Sequence, residues 1–229
     1  YDANGEMIRT DRGATGKIGV VSTSKVEASR IGANILRKGG NAIDAAVAVG
    51  FALGVCEPQS SGIGGGGFMI VRFAKTGETK FIDFREIAPK GATPDMWDVD
   101  KNGKVISDDK EFGGKSTGVP GSVKGFLYVL DKYGNLDRKA VIQPAIDLAK
   151  NGYKVSAIMN MDMKNQLNNI KKYPATAKIY LKNGKPYKVG DIIKNPDLAK
   201  TMEKIVKDGE KAFYEGEVAE AIVKATVAA

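Results

Sequence analysis

Apolar positions along this chain change period several times, and each change marks an element. In KIGVVSTS at 17–24, Ile18 and Val20 alternate with period two, as in a short strand. From Val26 the spacing turns helical. Ala28, Ile31 and Ile35 recur on one face of VEASRIGANILRKGG, which Gly39 and Gly40 end. Asn41 is placed to cap the next helix, NAIDAAVAVGFALGV at 41–55. That helix is apolar on nearly every side and short-chained at Ala42, Ala45, Ala46, Ala48 and Gly50, which predicts a central helix with close neighbours. After a run of glycines, FMIVRFAKTGETKFIDFRE holds two β-branched and aromatic stretches around a KTGE turn, the signal of a β-hairpin.

Residues 90–118 are polar, include Pro94, Trp97 and the acidic group Asp108, Asp109 and Glu111, and read as a long loop whose carboxylates are solvated. Helical spacing returns after Val119-Pro120-Gly121 in SVKGFLYVLDKYG, DRKAVIQPAIDLAKNG and SAIMNMDMKNQLNNIKK. Met159, Met161 and Met163 spread around the last of these and suit core filling. A second hairpin is predicted at 178–188 around Asn183-Gly184, followed by helices over 196–208 and 216–227. There is no internal repeat or low-complexity linker. The order of helices, strands and many further helices predicts α+β layering within one domain portion over 1–229.

Composition narrows the chemistry. With 229 residues and 42% hydrophobic content, the chain can bury a substantial core. The longest apolar stretch, 42–56, is broken by Asp44 and Gly50 and falls short of the roughly 20 residues that span a bilayer, so no membrane span is expected. The opening YDANGEMIRTDRG lacks the basic and apolar regions of a signal peptide, which fits a cytosolic or an already processed chain. The absence of histidine excludes a Ser-His-Asp triad, a Cys-His pair or a His-ligated metal within this sequence. The single cysteine, Cys56, ends the apolar helix and is expected as a buried small hydrophobe. The net charge is +8, and lysines thicken between Lys164 and Lys194 around Tyr173, Tyr180 and Tyr187. No nucleic-acid-binding signature accompanies them, so they read as a solvated surface whose field could draw in small anions.

Two glycine motifs imitate nucleotide sites. Gly62, Gly64 and Gly67 within SSGIGGGGFMIV satisfy G-x-G-x-x-G, but here a helix precedes the glycines and a strand follows. Dinucleotide binding needs the reverse order, so that a helix N-terminus faces the phosphates. GGKST at 113–117 resembles the end of a P-loop, yet Asp109 stands where that motif requires glycine. No cofactor or metal is expected.

Three stretches together resemble the γ-glutamyltranspeptidases, a family of N-terminal nucleophile (Ntn) hydrolases. They are GGNAIDAAVAVGFALGVCEPQSSGIGGGGFMIV at 39–71, FIDFREIAPKGATPDMW at 81–97 and STGVPGSVKGFLYVLDKYG at 116–134. Similarity continues in QPAIDLAKNGYKV at 143–155 and DGEKAFYEGEVAEAIV at 208–223. The resemblance implies the large-subunit portion of an αββα sandwich, with the helices 26–38 and 41–55 on one face of a mixed or antiparallel sheet. It implies an enzyme made as a precursor that cuts itself ahead of a threonine, whose hydroxyl then attacks γ-glutamyl amides while its own α-amino group acts as base. The Thr-Thr-His start of the family's small subunit is absent here, so the sequence reads as a part of such an enzyme with no catalytic residue of its own and inactive alone.

The implied partners are the small subunit from the same precursor and glutathione or other γ-glutamyl compounds. The implied location is secreted, periplasmic or at the cell surface. The F-R-E motif assigns Arg85 to the α-carboxylate of the γ-glutamyl group, a task that suits a guanidinium fork, and Glu86 to orienting Arg85. Surface ion pairing of Arg85 with Asp83 or Glu86 is the plainer alternative. Related acylases that act on cephalosporin side chains or poly-γ-glutamate, and a non-catalytic γ-glutamyl-binding protein, are the other functions compatible with the sequence.

Overall fold

The computed structural model describes residues 14–106 and 110–228. Its first half is organised by two helices that meet at a glycine pair. α1 (Val26–Arg37) buries Ala28, Gly32 and Ile35, with Ile31 only partly covered. Its C-terminal carbonyls are closed by the N–H groups of Lys38 and Gly39, with Gly39 at φ +89° where a side chain would be strained. α2 (Ala42–Cys56) starts in a capping box: the Asn41 side chain accepts from the N–H groups of Ile43 and Asp44, and Asp44 accepts from the Asn41 N–H. As its all-round apolar character requires, α2 is central. Val47, Ala48, Phe51 and Ala52 have no appreciable exposure. Gly50 lets Phe126 approach so closely that a Cβ there would meet the ring at 2.5 Å.

The predicted hairpin forms from β1 (Phe68–Arg72) and β2 (Thr79–Asp83), antiparallel with Phe68 opposite Asp83 and Ile70 opposite Phe81. Its inner face, Met69, Val71 and Ile82, packs on the core. Its outer face exposes Phe68, Ile70 and Phe81, with the two phenylalanine rings stacked at 5.4 Å. α3 (Ser122–Tyr133) and α4 (Arg138–Asn151) then complete the core around α2. α4 is capped by the Asp137 carboxylate and runs through Pro144. Beyond it lie β3 (Tyr153–Lys154), α5 (Ala157–Asn165), α6 (Leu167–Lys172), α7 (Pro174–Tyr180), β4 (Leu181–Lys182), β5 (Lys185–Pro186) and β6 (Ile192–Ile193). The chain continues in α8 (Pro196–Asp208), α9 (Lys211–Tyr214) and α10 (Gly216–Ala228). β3 pairs with β6 and β4 with β5, both antiparallel.

The expected strand at 17–24 does not form. Apolar alternation favours extended backbone, but a ladder needs a second strand, and among the described residues none pairs with this segment. Val21 instead packs on α1 over Gly32, where an added Cβ would lie 2.8 Å from it. The expected helix at 156–172 breaks at Gln166. The hairpin at 178–188 contracts to two residue pairs around Asn183 (φ 53°) and Gly184 (φ 74°), because α7, entered through Pro174, holds residues up to Tyr180 in helix. Among its described residues, the loop at 90–118 holds the 3-10 turn Gly114–Ser116 and an isolated bridge between Val99 and Val105. The opening segment at 1–13, Asp108 and Asp109 lie outside the described residues.

Candidate functional site

Arg85 and Glu86 sit just past the end of β2, where three distant segments are laced together. Gly67 and Phe84 exchange both backbone hydrogen bonds, extending the hairpin by one pair, and Ile87 bridges to Val119 in the same manner. The Gly65 carbonyl accepts from the N–H groups of both Gly121 and Ser122. The glycine run, the F-R-E motif and the V-P-G-S entry to α3 therefore form one backbone unit.

That unit exists because glycine leaves room for it. A Cβ on Gly66 would lie 2.5 Å from the Phe84 carbonyl oxygen and 2.6 Å from the Glu86 nitrogen; one on Gly121 would lie 2.0 Å from the same carbonyl. Both are fixed backbone atoms that cannot step aside. The Phe84–Glu86 backbone is thus clasped from two sides. Gly118 makes room for the Glu86 Cβ, and Gly125 for the Phe84 ring, which packs edge-on against Phe126. No close neighbour constrains Gly64, so the motif glycines Gly62, Gly64 and Gly67 are not the ones under most pressure. The helix, glycine and strand order holds, with α2 ending before the run and β1 beginning after it.

The Arg85 N–H donates to Asp83 Oδ1 at 2.9 Å. Its guanidinium, 56% exposed, lies 3.0 Å from Glu86 Oε2 and 5.9 Å from the centre of the Phe68 ring. Glu86 is the more enclosed partner. Its Oε2 is buried with no hydrogen bond of good geometry, so the ion-pair contact with Arg85 is its main polar tie. Arg85 opens onto a cleft of about 950 Å³ that also takes in Lys90, Lys124, Tyr128 and Tyr214. An exposed fork at the mouth of such a cleft, steadied from behind by a carboxylate, can accept a ligand carboxylate through two parallel N–H donors.

Tyr214 is a further member of this neighbourhood. Gly121, at the N-cap of α3, has no side chain with which to satisfy the free N–H groups of the first turn. Tyr214 Oη fills that role from a distance, accepting from the Lys124 N–H at 3.2 Å and donating to the Pro120 carbonyl at 3.0 Å. Burial raises its pKa, which keeps the hydroxyl protonated. Its segment, FYEGEVAEAIV, was visible as part of the family resemblance, but no local pattern marks the tyrosine as a cap for a helix ninety residues earlier.

Cys56 is buried, and desolvation together with Glu27 pushes its thiol up to about 12, the setting of an inert core residue. Among the described residues, no three His, Cys, Asp or Glu side chains converge as a metal site requires, and no helix is long and apolar enough to cross a membrane.

A family model described as gamma-glutamyltranspeptidase matches residues 28–229. The glutathione hydrolase proenzyme of Bacillus subtilis (strain 168) is 46% identical over 208 residues, which make up 90% of this chain and 35% of that protein. Among solved structures, the γ-glutamyltranspeptidase of Helicobacter pylori superposes with a TM-score of 0.88 at 43% identity, over 92% of this chain and 60% of that one. Cephalosporin acylase from Bacillus halodurans is more distant, with a TM-score of 0.77 at 26% identity over 95% of this chain and 42% of that one. The chain spans about a third of the length of the curated relatives it matches.

Proposed function

The chain belongs to the γ-glutamyltranspeptidase family and has the α+β fold of an Ntn hydrolase, and from that premise we propose that it is the N-terminal, large-subunit portion of a γ-glutamyltransferase and glutathione hydrolase. The whole enzyme would cleave γ-glutamyl amides at a threonine that this chain does not carry. The threonine hydroxyl oxygen attacks the γ-carbonyl carbon, its proton passing to the threonine α-amino group. The C–N bond breaks, the proton goes to the departing amine, and an acyl-threonine ester remains. Water then gives glutamate, or an amino acid gives a new γ-glutamyl amide, and the threonine hydroxyl is restored.

The part assigned to this chain is donor binding. Arg85 holds the α-carboxylate of the γ-glutamyl group and Glu86 orients the guanidinium. The single observation that carries this reading is the exposed Arg85 fork on the cleft, backed by a Glu86 carboxylate seated between Gly66 and Gly118. A plain surface ion pair has no need of such a seat. The outward face of the hairpin supports a partner segment from the same precursor, since Phe68, Ile70 and Phe81 present contiguous apolar surface. That the relative from Bacillus subtilis is a proenzyme supports the same view. By family resemblance, the location is secreted, periplasmic or at the cell surface.

The test is Arg85→Lys in the complete precursor, assayed by amine release from a γ-glutamyl anilide. Loss of a charge-assisted paired contact costs about 1.5–3 kcal/mol, which raises KM by roughly 10- to 150-fold with a smaller change in kcat. An unchanged KM overturns the Arg85 assignment. Failure of the unmodified precursor to release amine overturns the enzyme reading itself. The likeness to a cephalosporin acylase favours a second reading, an acylase with a different acyl donor, which would show as turnover of a cephalosporin side-chain amide in the same assay.

A further inference from the structure

We propose that the surface formed by α5, the β4–β5 hairpin and the segment leading to Lys194 docks on a membrane face rich in anionic lipid. Between residues 164 and 194 stand eight lysines and one acid, Asp191, so nearly all of the chain's net charge of +8 resides there. All eight lysines are exposed, and among the described residues none forms an ion pair. Asp191 Oδ2 accepts from the Lys188 N–H at 3.0 Å. Lys182 and Lys185 are direct partners across the hairpin, where like charges oppose each other at a cost to stability. No intramolecular contact explains that arrangement.

Exposed aliphatic side chains lie among these cations. Ile158 and Met161 share the outer face of α5 at a spacing of three, 43% and 52% exposed, while Val189 and Ile192 are 58% and 45% exposed. The backbone brings them to one region. Asn160 Nδ2 donates to the Tyr187 carbonyl at 2.6 Å, the Gly190 N–H donates to the Val155 carbonyl, and Lys154 pairs across from Ile192. The only acid on α5 is Asp162. Lys164, Lys182, Lys185, Lys188 and Lys194 stand on or beside the same elements as these aliphatic groups, a combination that matches the boundary of a bilayer, where hydrocarbon enters the headgroup layer and ammonium groups meet lipid phosphates. A soluble polyanion would use the lysines and leave the aliphatic groups without a role. The absence of arginine from 164–194 also fits a diffuse field better than bidentate reading of individual phosphates.

The experiment is co-sedimentation of the purified protein with vesicles of phosphatidylcholine alone and of an equimolar mixture with phosphatidylglycerol. Binding is expected to the mixed vesicles only, and to weaken as salt is added. Paired Lys182→Gln and Lys185→Gln should lower partitioning on the order of tenfold. Paired Met161→Gln and Val189→Gln, which leave the charge unchanged, should lower it by roughly threefold or more. Circular dichroism and melting, expected to be unaltered, show that each variant is folded. No binding to mixed vesicles overturns the proposal, as does equal binding to phosphatidylcholine. So does a Met161 and Val189 variant that binds as tightly as the unmodified protein, which would mark a site for free polyanions.

Discussion

Glu86 Oε2 stands 3.0 Å from the Arg85 guanidinium, with the carboxylate enclosed and the guanidinium half in solvent. This asymmetry separates a positioning role from a stabilising one. An ion pair with one exposed member adds only about 0–1 kcal/mol to folding, so Glu86→Gln should leave the melting temperature nearly unchanged. If Glu86 holds Arg85 in place for a carboxylate, the same variant in the complete enzyme should raise KM for γ-glutamyl donors by roughly three- to tenfold while kcat moves less. A variant that melts early with an unaltered KM would make Glu86 a structural residue only.

The glycine run offers a test that sets packing against phosphate binding. Gly66→Ala drives a Cβ into the Phe84 carbonyl and the Glu86 nitrogen, so backbone must shift, at about 1–3 kcal/mol. Gly64→Ala meets nothing within 4 Å and its φ is not in the left-handed range, so it should be tolerated. A nucleotide loop would reverse the pattern, since Gly64 belongs to the G-x-G-x-x-G motif and Gly66 does not. Chemical denaturation of the two variants, side by side, decides it.

What could be read from sequence was what depends on neighbours along the chain. The capping of α2 by Asn41, the hairpin around KTGE and the extent of α8 follow from periodicity and turn chemistry that act within a few residues. The order of elements around Gly62–Gly67, helix then glycines then strand, was legible in the same way. Arg85 was different: no spacing or composition singles it out, and it came from resemblance. Its setting was hidden for a physical reason. The clasp of Gly66 and Gly121 on Phe84 and the capping of α3 by Tyr214 are close approaches between segments far apart in sequence. The failed strand at 17–24 has the same origin, because strand formation depends on a pairing partner that local alternation does not reveal.

Cys56 links the core to alkaline pH. Its thiol is pushed from 9.0 to about 12 by burial, so the folded protein keeps the proton where the unfolded chain loses it. Between those values the unfolded state binds fewer protons, and stability falls as pH rises. Below pH 9 the contribution is fully present. Denaturation midpoints measured up this range should decline, and Cys56→Ala should flatten the decline. Tyr180, also raised to about 12 by burial, adds a residual slope that the substitution leaves in place. Thiol reagents at neutral pH should label Cys56 only after denaturant is added, and rapid labelling of the native protein would contradict the burial.

Asp44 ties two helices together from within the interior. Fully buried, its carboxylate accepts from the Asn41 N–H at 2.7 Å, from the Asn135 N–H at 3.0 Å and from the Leu136 N–H at 3.1 Å. Asn41 adds a second tie by donating its side-chain amide to the Tyr133 carbonyl. The start of α2 is thereby fastened to the end of α3, and both helices bear on the unit that presents Arg85. Removing the acceptor leaves buried N–H donors unpaired, each worth about 1–3 kcal/mol, so Asp44→Ala should cost roughly 3–5 kcal/mol in all. Asp44→Asn keeps the shape and one acceptor oxygen but turns an NH₂ group toward donors, and should recover less than half of that loss. Urea denaturation of both variants gives the measurement. A loss below about 1 kcal/mol for Asp44→Ala would mean that water replaces the carboxylate at no great cost, and that the turn at 134–136 is held by its apolar contacts instead.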